Sequence, residues 1–315
     1  MRTTVLALGV SFLACSSNNN TTPDAPKPVD ASPDAPGSGS GGSDSFTITG
    51  QANGLFWDNS TSTLYFTEKT GTTGNAFAKW TDAGGVQTVA SLDGVGSANP
   101  GDIIKLADGS FLTPQFSSSN TNNGIIHIVG SDATLLQDAA RGTYKQVGMA
   151  LDGSGNVFTA AFVGKTGSAS GFVLEDTITG TTLTETPMAG SGGQAGMMMK
   201  VVGIASESDG SLLISDADSG AIWKLDATFN LTSFATITKP DLLIELPNGD
   251  VLTGTGGGPT LRRVSYPGGV VTNVTLPSNI TTIYGTAFDK TNHRLFVDGG
   301  GTGNDVIYIV PYMPN

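Results

Sequence analysis

Six polar side chains, Asn53, Asp102, Gln146, Lys200, Asp241 and Tyr284, each stand at the head of a short apolar run, one to a repeat. If the six runs converge on one axis, these side chains meet in a polar concavity suited to a small molecule or an ion. Asp102 and Asp241 contribute two carboxylates, the oxygen ligands that a hard divalent cation such as calcium prefers. The same six residues would otherwise solvate a channel and cap strand ends, and a register error of one residue would turn any of them to the opposite face.

Other chemistry is short of material. The two histidines, His127 in a third strand and His293 beside Asn292 in a hairpin turn, read as packing or surface residues. A histidine triad or a zinc site therefore has nothing to be built from. There is no Gly-x-Ser-x-Gly elbow for a hydrolase nucleophile. Gly164-Lys165-Thr166 ends like a P-loop, but Thr159 stands where the first glycine is required and no helix follows. Asp216-Ala217-Asp218-Ser219-Gly220 opens like a calcium loop yet lacks the third ligand and the terminal Glu. Both read as turns. A net charge of -12 leaves no basic footprint for nucleic acid or anionic lipid.

The one cysteine, Cys15, excludes an intramolecular disulfide. It follows Met1-Arg2 and the apolar stretch Val5 to Ala14, the layout of a secretory signal peptide. Phe12-Leu13-Ala14-Cys15 resembles a bacterial lipobox, which implies that Cys15 becomes the lipidated first residue of an exported protein. The apolar run is too short to span a bilayer, so the membrane would be held by lipid alone. Residues 16–45 are rich in Pro, Ser, Gly and Asp and nearly free of apolar side chains, so they predict a disordered tether. Residues 1–15 are thus the signal and lipobox, 16–45 the tether, and 46–315 the folded body. The expected location is the cell envelope, anchored to the outer membrane of a Gram-negative bacterium.

The elements that must position the polar residues come from a repeat. A small residue leads a short apolar strand, a turn rich in Asp, Asn and Gly follows, and a second and third strand complete the unit. Gly54, Gly101, Gly148, Gly203, Leu242 and Gly285 occupy equivalent positions, spaced 47, 47, 55, 39 and 43 residues apart. That period suits four-stranded propeller blades and is too long for a β-helix coil. Small residues fit first strands that crowd around an axis. The Asp-Gly and Asn-Gly pairs predict two-residue type I′ turns. The last unit holds three strands, and the orphan run Ser45 to Gly50 can supply its fourth, closing the ring and removing exposed edges. The fold class is therefore all-β, a six-bladed propeller closed by its N-terminal strand, with tandem sandwiches as the competing architecture. Trp57, Trp80, Trp223, Phe66, Phe158 and Phe296 fall at repeat-equivalent places and are expected in the core between blades. Met188 to Met199, rich in Gly and Met, reads either as a mobile loop that contacts a ligand or partner, or as an insertion packed on one face.

Residues 53–80, with Asn53-Gly54-Leu55-Phe56-Trp57 and Leu64-Tyr65-Phe66-Thr67, resemble the first blade of the senescence marker protein/gluconolactonase family and of the broader NHL-like group. Residues 202–225, with Val202-Gly203-Ile204-Ala205 and Ser208-Asp209-Gly210, resemble a later blade. The resemblance implies a six-bladed propeller and, in the family's lactonases, an axial divalent cation held by Glu, Asn and Asp. Here Asn53 stands at the Glu position and Val202 at the Asn position. The reading that follows is a monomeric binding or scaffold module for a small ligand or a protein partner. A divergent lactonase or esterase with calcium is the alternative.

Overall fold

The computed structural model describes residues 44–71, 74–95, 99–117, 123–140, 143–165, 170–189, 198–300 and 306–314. They form 25 strands. A short strand β1 (Asp44–Thr47) precedes the first blade, which holds β2 (Gln51–Asp58), β3 (Thr63–Lys69), β4 (Ala76–Thr81) and β5 (Gly85–Ser91). The second blade breaks its first strand into β6 (Asn99–Pro100) and β7 (Ile104–Lys105), then continues with β8 (Phe111–Phe116), β9 (Gly124–Val129) and β10 (Asp132–Leu136). The third is β11 (Lys145–Leu151), β12 (Val157–Val163), β13 (Ser170–Thr179) and β14 (Thr182–Ala189). The fourth is β15 (Val201–Ser206), β16 (Leu212–Asp216), β17 (Ala221–Leu225) and β18 (Leu231–Thr236). The fifth is β19 (Pro240–Glu245), β20 (Val251–Thr255), β21 (Leu261–Val264) and β22 (Val271–Val274). The sixth has β23 (Gly285–Asp289), β24 (Arg294–Asp298) and β25 (Val306–Pro311), and β1 pairs antiparallel with β25 as its outer strand.

This is the expected ring of six sheets sealed by the N-terminal strand. First strands of successive blades touch in order, and β2 meets β23 to close the circle. Because successive strand residues point to opposite faces, each blade feeds two apolar layers. Ala205 and Leu213 pack toward Leu243 and Val251 of the fifth blade, while Ile204 and Ile214 pack toward Ala160 and Val173 of the third. The predicted aromatic core is present: Trp57 stacks on Phe296 at 4.9 Å, Trp80 meets Phe296 edge-on at 5.8 Å, and Phe66 is fully buried beside them. Phe158 and Trp223 share the layer between blades three and four.

The hairpins differ from the type I′ expectation. In four blades the amide of Gly109, Gly155, Gly210 or Gly249 donates three residues back, to Leu106, Asp152, Glu207 or Leu246. Those four glycines have positive φ, whereas Asp108, Ser154, Asp209 and Asn248 before them do not. This is a three-residue loop, a type I turn followed by a left-handed glycine that makes a bulge. Asp108 and Asp209 favour it because each carboxylate accepts the backbone amide two residues on, from Ser110 and Ser211.

Candidate functional site

The small residues at the head of the first strands form a collar around the axis. An ideal Cβ on Gly54 would lie 2.0 Å from the Gly101 carbonyl oxygen, and one on Gly101 would lie 1.9 Å from that of Val147. On Gly203 it would meet the Asp241 oxygen at 2.6 Å, and on Gly285 the Leu55 Cδ1 at 2.7 Å. Neighbouring blades thus pack backbone against backbone at this level, which glycine alone permits. The Asp102 amide donates to the Val147 carbonyl at 3.0 Å and Ser215 Oγ to the Asp241 carbonyl at 2.6 Å, tying blades two to three and four to five.

Inside the collar a cavity of about 370 Å³ runs along the first strands of all six blades. Most of the side chains in its wall are apolar, among them Leu55 and Trp57 of the first blade, Met149 and Leu151 of the third, Ile204 of the fourth, Leu243 of the fifth and Phe288 of the sixth. Asp102 lines it on the collar side, and Asn59, Lys105, Ser206 and Glu245 line it where the first strands end. Burial pushes the Asp102 carboxyl up to about 7, against hydrogen bonds from the Ile103 and Met149 amides. Glu245 is exposed, and partial burial raises its carboxyl as well.

Of the six polar residues singled out from the sequence, Asp102 is the one on the cavity wall. The Asn53 Oδ1 accepts from Gln51 Nε2 at 3.1 Å. Gln146 is buried and donates through Nε2 to Glu185 on the outer strand of its own blade. Lys200 lies 5.7 Å from the centre of the Phe162 ring. Asp241 is raised by burial, eased by the Leu242 amide and by the charge of Lys200. Tyr284 is exposed. The reason lies in the strand heads. Register shifts fall between Ala52 and Leu55, Gln146 and Gly148, Val201 and Gly203, and Pro240 and Leu243. A bulge re-aims the residues on its far side, so equivalent places in the sequence do not share one direction in space.

An axial cation of the kind the family resemblance implies finds no matching ligands here. Val202 is buried against Phe162, and the Asn53 oxygen is taken by Gln51. Among the described residues no group of three or more His, Cys, Asp or Glu side chains could hold a metal ion. Asp216, from the apparent calcium loop, is fully buried and accepts the Met199 and Lys200 amides at 2.8 and 2.9 Å, which pins the segment entering β15. Gly164 is a turn glycine whose carbonyl accepts Lys145 Nζ. His127 Nε2 lies 3.0 Å from Ser110 Oγ, and His293 sits in a turn with φ 52°.

The feature that sequence reading missed is at the far end of the first strands. Glu207 is 4% exposed, and neither carboxylate oxygen has a hydrogen-bond partner. Burial first, then the charges of Glu245, Asp209 and Asp250, push its carboxyl up to about 7, with Lys224 opposing. Met198 is buried between blades three and four with Met188 against it, whereas residues 190–197 of the Met/Gly-rich segment lie outside the described residues, as do Cys15 and the expected signal and tether.

No protein-family model matches the chain, and no curated protein sequence matches it. Solved structures do. A gluconolactonase from Xanthomonas campestris superposes with a TM-score of 0.62 at 15% identity, over 84% of this chain and 87% of its own. Regucalcin, a calcium-binding protein from Agrobacterium tumefaciens, gives 0.60 at 12%, over 85% and 93%. Virginiamycin B lyase from Staphylococcus aureus gives 0.55 at 12%, over 85% and 98%. The chain is therefore a six-bladed β-propeller with the architecture of the gluconolactonase and regucalcin structures. At these identities the likeness is one of fold.

Proposed function

We propose that this protein is an envelope-anchored binding module that takes a small, largely apolar molecule into its axial cavity. The observation that carries this reading is the cavity itself, about 370 Å³ in volume and walled by the first strands of all six blades. Ligand sites in proteins are concave, mostly apolar and furnished with a few polar groups, as this one is. Export and lipidation at Cys15 rest on the signal layout and the lipobox-like Phe12-Leu13-Ala14-Cys15. A Ser206→Phe variant, which fills the cavity from its wall, should abolish the thermal stabilisation that a bound small molecule confers on the parent protein. Equal stabilisation of both would end the reading. Radiolabelled palmitate incorporation that persists in Cys15→Ala would remove the anchor.

A second reading is a divergent metal-dependent lactonase or esterase working at the collar face. The fold shared with gluconolactonases and with calcium-binding regucalcin supports it, while Asn53 and Val202 at the expected ligand positions weigh against it. Lactone hydrolysis that EDTA abolishes and calcium restores would establish this reading over the first.

A further inference from the structure

The charges that line the axial cavity are few, and one is spent. Lys105 Nζ lies 2.6 Å from Asp58 Oδ2 and over the Phe111 ring, so its charge is balanced from outside the wall. Glu245 remains, with Asp102 partly neutral beside the Ile103 and Met149 amides, and among the described residues the wall carries no second cation. Just past the end of β15 the negative field deepens. Glu207 is buried with both oxygens unpartnered, and Glu245 is the charge that acts on it most strongly. Asp209 and Asp250 stand near as well, but the cations beside them are engaged: Lys224 bonds Asp209 and the Tyr266 hydroxyl, and Arg263 bonds Asp250. Among the described residues the neutral polar side chains of the wall are Asn59, Ser206 and the indole N–H of Trp57, which has no hydrogen-bond partner. A sugar-like ligand would find few side-chain partners for its hydroxyls, and an anion would meet the like charge of Glu245.

Resting on the cavity-binding reading above, we infer that the ligand is an organic cation: an ammonium group held at the Glu245 end, in the field of Glu207, with an apolar body lying against Leu55, Ile204 and Leu243. Because Glu245 is exposed, an ammonium group beside it keeps part of its hydration while gaining a close charge contact, and the concave wall focuses the field of the carboxylates.

Three probes that share one chain separate the contributions. Hexyltrimethylammonium, 1-hexanol and hexanoate are titrated calorimetrically into the full chain expressed without export. The cation should bind at least about tenfold tighter than the alcohol, with hexanoate weakest, in line with a close charge contact near a protein surface. Glu245→Gln should remove that preference while leaving hexanol unchanged, Glu207→Gln should reduce it by a smaller factor, and Ser206→Phe should abolish binding of all three. Equal affinity for cation and alcohol, or tighter binding of hexanoate, overturns the charge assignment and leaves the cavity reading standing. Cation binding that survives Ser206→Phe is a surface effect of the acidic protein and also overturns it. If none of the three binds, both readings fail together.

Discussion

Lys105 Nζ at the end of the second blade's first strand lies 2.6 Å from Asp58 Oδ2 at the end of the first blade's. The same place in blade four, four residues after the collar glycine, is Glu207, and its counterpart across the blade interface is Leu246, which is buried. One interface therefore has a neutralised carboxylate and the other an unanswered one.

Lys105→Met should destabilise the protein by about 2 kcal/mol, less than the roughly 3–5 kcal/mol lost from a fully buried pair, because the Lys105 side chain keeps 25% exposure. Burial alone would raise the Asp58 carboxyl, but hydrogen bonds from Lys105, Ser60 and Thr61 hold it well below the usual range. A depressed carboxyl contributes stability above its unfolded pKa and loses it as pH falls through the folded one. Urea titrations should thus show the parent keeping this contribution into strong acid, and the variant losing it at a higher pH.

For Glu207 the sign is opposite. Its folded carboxyl sits at about 7 against an ordinary value of 4.5, so the folded state holds a proton that the unfolded chain releases in that window. Stability must fall as pH rises from 4.5 towards 7 and stay reduced above it. The groups facing it are Glu245, Asp209, Asp250 and Lys224. Glu207→Gln should flatten that slope and gain about 1–2 kcal/mol at alkaline pH, because an unpartnered amide costs less to bury than a charge. A melting-temperature profile with the same slope in both proteins would contradict this.

At the collar, Gly54→Ala or Gly101→Ala would place a methyl about 2 Å from the next blade's carbonyl oxygen, and forcing the blades apart should cost about 3 kcal/mol or more. Gly153, with nothing within 4 Å of its ideal Cβ and no positive φ, is the control. Gly153→Ala should change the denaturation midpoint very little.

The closing strand is fastened by Phe46, whose ring stacks on Trp80 at 4.7 Å and meets Phe66 at 6.3 Å, joining blade six to blade one. Phe46→Ala should cost about 2–3 kcal/mol. Amide exchange should accelerate along β1 and β25 first, since the N-terminal strand then frays before the ring opens. Protection lost equally across all blades would show that closure does not depend on this contact.

Six repeats, their small leading residues, the aromatic layers and the orphan strand at Ser45 were legible in the amino-acid order, because each is a periodic signal that hairpins enforce locally. The turn type was not, since Asp-Gly is compatible with two loops and the choice depends on whether Asp108 or Asp209 can stay right-handed while its carboxylate bonds the residue two ahead. The direction of the polar residues was hidden for another reason. Bulges beside Asn53, Val147, Val202 and Asp241 turn side chains by amounts that no alternation pattern records, which left Asp102 alone on the cavity wall and sent Gln146 to Glu185. Glu207 and Glu245 had no signal at all. They lie 38 residues apart on different blades, and only the ring brings their charges together and leaves Glu207 without a partner.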